Sequence, residues 1–555
     1  MASKDKEEAV SSALSEKADN VAPPISDLCD EEKASFSTVE HDGVHDGVKR
    51  QLKQRHVQMI AIAGTIGTGL FLGSGGALRA AGPLGALMAY GLVGTVAYAS
   101  LCSVAEMTTW APISGSYPYY ASRWVDPAFG FAVGWNSCYS LAISLPGEIT
   151  AATILLTFWD HSREHLAAYT AAIAVLVITL NVFGVKYFGE SEFYFSLIKI
   201  SLIIGLILCG LVIDLGGAPN HDRIGFRYWK EPGALARANL VPNLHTDRFL
   251  AFISVVVQAA YSFQGMELIA VAASETESPR RNIAKAVHRV FYRILIFYIF
   301  GILIIGMCVP YNDTSLLQAT GNAAQSPFVI AINRAGIKVL PHIINAAIFT
   351  SAFSAANSSL YCGSRILYGL ALRGQAPPIF SYCTKRGLPL PAVAAIGSFC
   401  LLAFMNAGSG GGEKAFDWLV HLTTTGGFIG WLALNVTYAR FWRGMTVQGY
   451  DLRKNVYHSR LQPYLSYWGI FWTSSFILIS GFKVFFKFNF QDFLASYINI
   501  PLFLALFLGY RWSQGTKFRR AEDMDLVTGI PSIEETEVPE VPPQTIGEKI
   551  AAVVF

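Results

Sequence analysis

The chain has 555 residues, 52% of them hydrophobic and 15% charged, with a formal net charge of +3. A soluble chain of this length divides into domains with a far larger charged surface, so this balance excludes an ordinary soluble multidomain protein. The small positive excess sits in short segments between apolar blocks and points to no nucleic-acid partner.

Residues 1–48 are rich in Ser, Glu, Asp and Lys without a periodic apolar face, which predicts a disordered tail. Nearly fifty polar residues ahead of the first apolar run argue against a cleavable signal peptide. A membrane span needs roughly 20 mostly apolar residues. Such blocks fall at about 57–78, 84–105, 129–157, 167–185, 192–213 and 250–273, then 288–309, 340–371, 391–407, 416–441, 466–487 and 494–511. They predict an all-α integral membrane protein of about twelve helices over 49–513. Ser326 to Ile332 is too short to cross and reads as a lid or interfacial helix. Residues 514–555 turn acidic and Pro-containing, forming a second tail.

Lys and Arg concentrate in alternate short loops, at Lys49–Arg55, Arg280–Arg289, Arg373–Arg386 and Arg440–Arg460. Positive residues stay inside, so both tails are expected in the cytoplasm. The eight cysteines, among them Cys102, Cys138 and Cys362, lack paired spacing and read as small buried hydrophobes. Phosphate-binding glycine loops and His-Glu-x-x-His helices are both missing from the sequence, and the expectation is not an enzyme.

Two spans are built poorly for helices. Span 1 carries Gly64-Thr65-Ile66-Gly67-Thr68-Gly69, and each interior Gly costs about 1 kcal/mol relative to Ala. Five spans later, span 6 carries Tyr261-Ser262-Phe263-Gln264-Gly265-Met266-Glu267. Unwound backbone survives in a bilayer only where protein or a water-filled cavity satisfies it. The glycines of span 1 also suit close helix packing. The matched interruption in span 6 favours the inverted-repeat architecture of secondary transporters. Free N–H groups at one half-helix end hold a carboxylate, and unpaired carbonyls on the other accept from an ammonium. An amino acid satisfies both.

Ionisable residues inside spans mark function by default. Glu106, Glu148, Lys199 and Glu267 fall in spans 2, 3, 5 and 6. Glu267 lies just past the span 6 interruption, where it relays protons or holds exposed N–H groups. Glu148 is placed to pair a cationic side chain, and Glu106 reads as a gate or structural residue. Phe263 at the interruption suits a thin gate over substrate.

The motifs Arg50-Gln51-Leu52-Lys53-Gln54-Arg55-His56, Gly189-Glu190, Gly225-Phe226-Arg227-Tyr228-Trp229, Phe263-Gln264-Gly265-Met266-Glu267-Leu268 and Ser354-Ala355-Ala356-Asn357-Ser358 resemble the fungal branch of the amino acid–polyamine–organocation permeases. The likeness runs from Lys49 to the C-terminal tail. It implies a LeuT-like fold of five plus five inverted helices and two more, with helices 1 and 6 discontinuous. It also implies a plasma-membrane location and proton-coupled uptake of L-amino acids without a cofactor. Within that branch, spans 6 to 10 are most similar to the basic amino-acid permeases for arginine and lysine. Span 10 departs from that subgroup at His421-Leu422-Thr423-Thr424-Thr425-Gly426-Gly427, and span 3 at Ser144-Leu145-Pro146-Gly147-Glu148. A broad-range or neutral permease, and a non-transporting sensor on the same fold, are the alternatives.

In proton-coupled relatives a lysine matching Lys199 lies beside the broken helix 1, which implies a coupling role; a permanently charged structural lysine is the other reading. The expected substrate contacts are Thr65, Ile66, Gly67, Thr68, Gly69, Glu148, Ser262, Phe263, Gly265 and Thr424, with Lys199 and Glu267 as proton-coupling residues. The expected partners are the amino acid, the lipid bilayer, and a ubiquitin ligase and adaptor at the tails. Lysines Lys4, Lys6, Lys17 and Lys33 suit the last of these.

Overall fold

A computed structural model describes residues 52–113, 115–160, 162–317, 326–407 and 412–537. The N-terminal tail with its four lysines lies outside the described residues, as does the chain beyond 537.

The described elements are helical, and the β pairing among them is one isolated bridge between Leu52 and Thr276. The α-helices are α1 (Gln54–Thr65), α2 (Ser74–Trp110), α3 (Ser116–Trp124), α4 (Pro127–Leu156), α5 (Leu166–Val182), α6 (Val185–Asp214), α7 (Leu244–Phe263), α8 (Leu268–Val271) and α9 (Pro279–Cys308). They continue as α10 (Thr314–Leu317), α11 (Pro327–Arg334), α12 (Leu340–Leu372), α13 (Leu390–Gly397), α14 (Gly412–Val447), α15 (Tyr464–Ile479), α16 (Phe490–Tyr497), α17 (Asn499–Gln514) and α18 (Ile533–Thr536).

Six helical stretches among the described residues are long and apolar enough to cross a membrane: Gly69–Trp110, Pro127–Leu156, Val185–Asp214, Leu244–Glu275, Phe416–Val447 and Tyr464–Phe485. The pair α16 and α17, bent by 46°, makes a seventh when taken together, and Leu166–Val182, Leu295–Cys308 and Leu390–Asn406 are shorter apolar helices. The expected short element appears as α11, whose Arg334 pairs with Asp313, the residue just before α10.

Both suspect segments interrupt regular α-helix. Hydrogen bonding of α1 stops at Thr65, Ile66 and Gly67 are bends, and the chain resumes as a π-turn over Gly69–Gly73. A second interruption separates α7 from α8 at Gln264–Glu267, where Gly265 takes φ +98°, a left-handed value that side-chain-bearing residues adopt rarely. α2 bends at Gly82 (φ +75°), just before Pro83, and a Cβ there would lie 2.8 Å from the Ala234 carbonyl. Small residues let the interrupted segments approach their neighbours. A Cβ on Gly69 would fall 2.8 Å from Ser262 Cα, so the π-turn and α7 meet backbone to backbone only because residue 69 is glycine.

Leu52 N–H donates to the Glu275 carbonyl and Glu277 N–H to the Leu52 carbonyl, both at 2.9 Å, pinning the start of α1 to the end of the 244–275 span. Beneath this bridge the buried Glu275 carboxylate pairs with Arg365 Nε at 3.2 Å and accepts from the Tyr361 hydroxyl. Arg365 lies 4.2 Å above the Tyr361 ring. Two charges leaving water together in this way are tolerated only when paired and hydrogen-bonded, as these are.

Candidate functional site

The two interruptions face a common cavity of about 70 Å³. Gly67 and Gly69 border it from the first break, and Gln264, Gly265 and Glu267 from the second. α4 contributes a stripe of Ser137, Ser140, Ser144 and Glu148, spaced three to four residues apart so that they share one helix face. α12 adds Ser358 and Ser359; from α14 come Thr423 and the bare backbone of Gly426, Gly427 and Gly430. At this volume the site holds a few water molecules.

Glu148 joins the walls. Its Oε1 accepts from Tyr261 Oη at 2.8 Å and from Thr68 Oγ1 at 3.2 Å, which ties α4 to both interrupted segments. Its Oε2 is buried without a hydrogen-bond partner among the described residues. A carboxylate oxygen left so in a buried site has acceptor capacity for a cationic ligand. Glu267 also lines the cavity. It accepts from Trp431 Nε1 at 3.2 Å and lies against the backbone amides of Gly265 and of its own residue, holding the unwound turn.

Lys199 is fully buried on α6, within electrostatic reach of both Glu192 and Glu148. Glu192 was not among the charged residues singled out from sequence. It is buried two turns before Lys199 on the same helix face and accepts from Ser354 Oγ and Asn357 Nδ2 of α12, each at 2.6 Å. The signal was available in the spacing of Glu192 and Lys199 by seven residues, but Glu192 stood at the assumed start of span 5. Ser196, between them, donates to the Met59 carbonyl of α1 at 2.9 Å.

Other expected contacts lie off the cavity. Ile66 is in the core, and its carbonyl accepts from Ser351 Oγ of α12. Ser262 bonds Tyr90, and its carbonyl accepts from Tyr298. Phe263, read as a gate, stacks on Tyr298 at 4.4 Å between centroids and packs against Gly94; from this stretch it is Tyr261 that lines the cavity, together with Tyr117 of α3. The shift has a simple cause: α7 is still helical at Phe263, so residues 261 and 263 point to opposite sides. Thr424 is buried and meets the site through its carbonyl, while its neighbour Thr423 lines the cavity. The Thr65 side chain lies outside the described residues. Glu106 is a structural anchor: it accepts from Ser459 N–H at 2.7 Å and from the Tyr438 hydroxyl. The serines, Tyr261 and Gln264 escaped the reading because polar residues without charge are common in packed membrane helices.

A helical membrane bundle with a cavity between two interrupted segments has the form of a small-molecule transporter. The chain belongs to the amino acid permease family, whose profile matches residues 56–522. It is 42% identical to the proline-specific permease of Emericella nidulans, over 87% of this chain and 89% of that one. Identity is 39% to the dicarboxylic amino acid permease of Saccharomyces cerevisiae (89% and 82% covered) and 36% to the lysine-specific permease of the same yeast (91% and 83%). These fungal relatives are permeases, not enzymes, and their side-chain classes differ. Among solved structures the fold is similar to a manganese transporter mutant from Eremococcus coleocola, with a TM-score of 0.51 at 14% identity over 83% of this chain and 94% of the other.

Proposed function

We propose that this permease is a proton-coupled importer of L-amino acids across the plasma membrane, with arginine and lysine preferred. The observation that carries the substrate class is Glu148, whose oxygen without a partner among the described residues lies in a cavity that, among those residues, is lined by two carboxylates and by no Lys, Arg or His. That lining suits a cation and opposes a second carboxylate, so glutamate and aspartate are poor candidates. A second reading, a small neutral or imino acid whose own ammonium sits on Glu148, is supported by the cavity of about 70 Å³. The 42% identity to a proline-specific permease also supports it.

In this reading the chain crosses the membrane twelve times. The first span is α1 with the π-turn after it, and the last is the bent pair α16 and α17. The two interruptions are the discontinuous helices 1 and 6 of an inverted repeat, both termini are cytoplasmic, and residues 49–513 form the permease domain. Lys199 couples proton and substrate: Glu148 attracts the ammonium until substrate competes for the same carboxylate. Glu267 holds the unwound turn or relays the proton. A ubiquitin ligase with its adaptor acts on the tails. Uptake by proteoliposomes with and without an imposed pH gradient tests the coupling, and competition among the twenty amino acids tests the substrate. Best competition by lysine and arginine is expected. If leucine, proline or glutamate wins, the basic assignment fails and the family assignment stands.

A further inference from the structure

Three side-chain amides from three different segments donate to one stretch of α14. Asn499 Nδ2 bonds the Leu422 carbonyl at 2.7 Å, Gln264 Nε2 the Thr424 carbonyl at 3.0 Å, and Asn136 Nδ2 the Gly426 carbonyl at 2.9 Å. Asn136 and Asn499 belong to regular helices, α4 and α17. Gln264 differs, because it stands in the interruption between α7 and α8, with an extended backbone (φ −64°, ψ 149°) beside the left-handed Gly265. Of the three, it is the one fixed to a segment without helical hydrogen bonding.

Opposite Gln264 stands Gly427. A Cβ at that position would lie 2.2 Å from Gln264 Nε2, closer than atoms can approach, so the amide reaches α14 only because residue 427 is glycine. Gln264 also lines the cavity, and its Oε1 receives no hydrogen bond from the described residues. An amide has two donors and one acceptor oxygen. Here the donor end is spent on α14 and the acceptor end is available at the cavity.

We propose that Gln264 is a positioning residue that makes α14 follow the interruption when substrate enters, with Gly427 supplying the space for the contact. This rests on the reading of the cavity as the substrate site. An ammonium donating to Oε1 polarises the amide and strengthens its bond to the Thr424 carbonyl, since linked hydrogen bonds reinforce one another in a low-dielectric interior. Substrate thereby draws α14 against the break. The carbonyls of Leu422 and Gly426, held from α17 and α4, set the limits of that movement.

The test uses the full chain in proteoliposomes, with labelled arginine as the probe for equilibrium binding and for initial uptake rate, each normalised to protein inserted. Gln264→Met keeps the length of the side chain and removes both its donor to α14 and its acceptor at the cavity. It should weaken binding about tenfold, through loss of the acceptor that meets the ammonium, and also lower the maximal uptake rate at saturating arginine about tenfold, each the worth of one net hydrogen bond. Gly427→Ala should lower the maximal rate similarly by pushing the amide aside. The double variant Gln264→Met/Gly427→Ala should be no slower than the slower single variant, because both changes act on one contact. Losses that multiply, an unchanged rate, or a loss confined to binding would overturn the proposal, as would failure of both single variants to insert, which marks a purely structural contact. If arginine does not bind the unmodified protein, proline replaces it as probe. Binding of neither overturns the cavity reading and this proposal with it, whereas normal binding with a normal rate in Gln264→Met overturns the positioning role alone.

Discussion

The smallest unit that explains this protein is the charge sequence Glu192, Lys199, Glu148. All three side chains are buried, and each carboxylate is anchored by hydroxyl or amide donors from other helices. A cation within electrostatic reach of two such carboxylates responds to whatever occupies the cavity, since Glu148 lines it and Glu192 does not. Replacing Lys199 by Met should abolish accumulation against a gradient while exchange of internal for external amino acid persists. Counterflow and net uptake in the same proteoliposomes measure the two separately, and intact concentrative uptake would remove Lys199 from the coupling step. For Glu148→Gln, loss of one charged hydrogen-bond partner predicts arginine binding weaker by about tenfold or more, read by equilibrium binding. The position of Glu148 and Lys199 inside the bundle was legible in sequence because a charge in an apolar run stands out. Glu192 was not, since a carboxylate near the assumed end of a span looks the same whether it faces lipid headgroups or another helix.

At the scale of elements, the ends of regular α-helix near Gly67 and Gly265 were legible, and the directions of the side chains there were not. Gly67 and Gly69 predicted a break in the first span, and the helix does stop at Thr65. The span 6 motif predicted another, but only the coordinates show that α7 runs through Ser262 and Phe263 before it opens. Each residue along a helix turns the side chain by about 100°, given 3.6 residues per turn. Residues 261 and 263 therefore point about 200° apart while α7 stays helical, which brings Tyr261 and not Phe263 to the cavity. Glycine at the first break also has a steric use: a Cβ on Gly67 would sit 3.3 Å from Glu148 Oε1 and 3.5 Å from the Ala355 Cβ. Gly67→Leu should therefore fill the site and eliminate binding while the protein still inserts. Gly69→Ala, which forces a Cβ into α7, should cost about 1–3 kcal/mol of stability as overpacking. Ligand binding separates the first effect, and thermal unfolding in detergent the second. Near-normal affinity in Gly67→Leu would remove the cavity from consideration as the substrate site.

For the whole molecule, the segment after α17 matters more than its composition suggested. It is acidic and contains proline, and nothing in its sequence distinguishes a free tail from a packed one. In the fold, residues up to 537 lie across the bundle. Asp525 accepts from Arg123 Nε at 2.7 Å, from Arg123 Nη2 at 2.8 Å and from Trp124 Nε1 at 3.0 Å. The Arg280 guanidinium, 6% exposed, donates to the Pro531 and Ser532 carbonyls and to Thr536 Oγ1. Met524 and Leu526 are 4% and 2% exposed, and Met524 packs over Gly444. Burying two such apolar side chains is worth about 1.5–3 kcal/mol each, an upper estimate because unfolded chains retain some burial. The arginine bonds add less, since water would replace many of them. Deletion of 515–555 should therefore lower the midpoint of thermal unfolding in detergent by several degrees, with Leu526→Ala reproducing part of the loss at about 2–5 kcal/mol. A free tail would leave the midpoint unchanged on deletion. Because Arg123 precedes α4 and Arg280 opens α9, the segment joins two parts of the bundle that are far apart in sequence. Its loss should thus destabilise the two regions together, as a single shifted transition and not as an added early one.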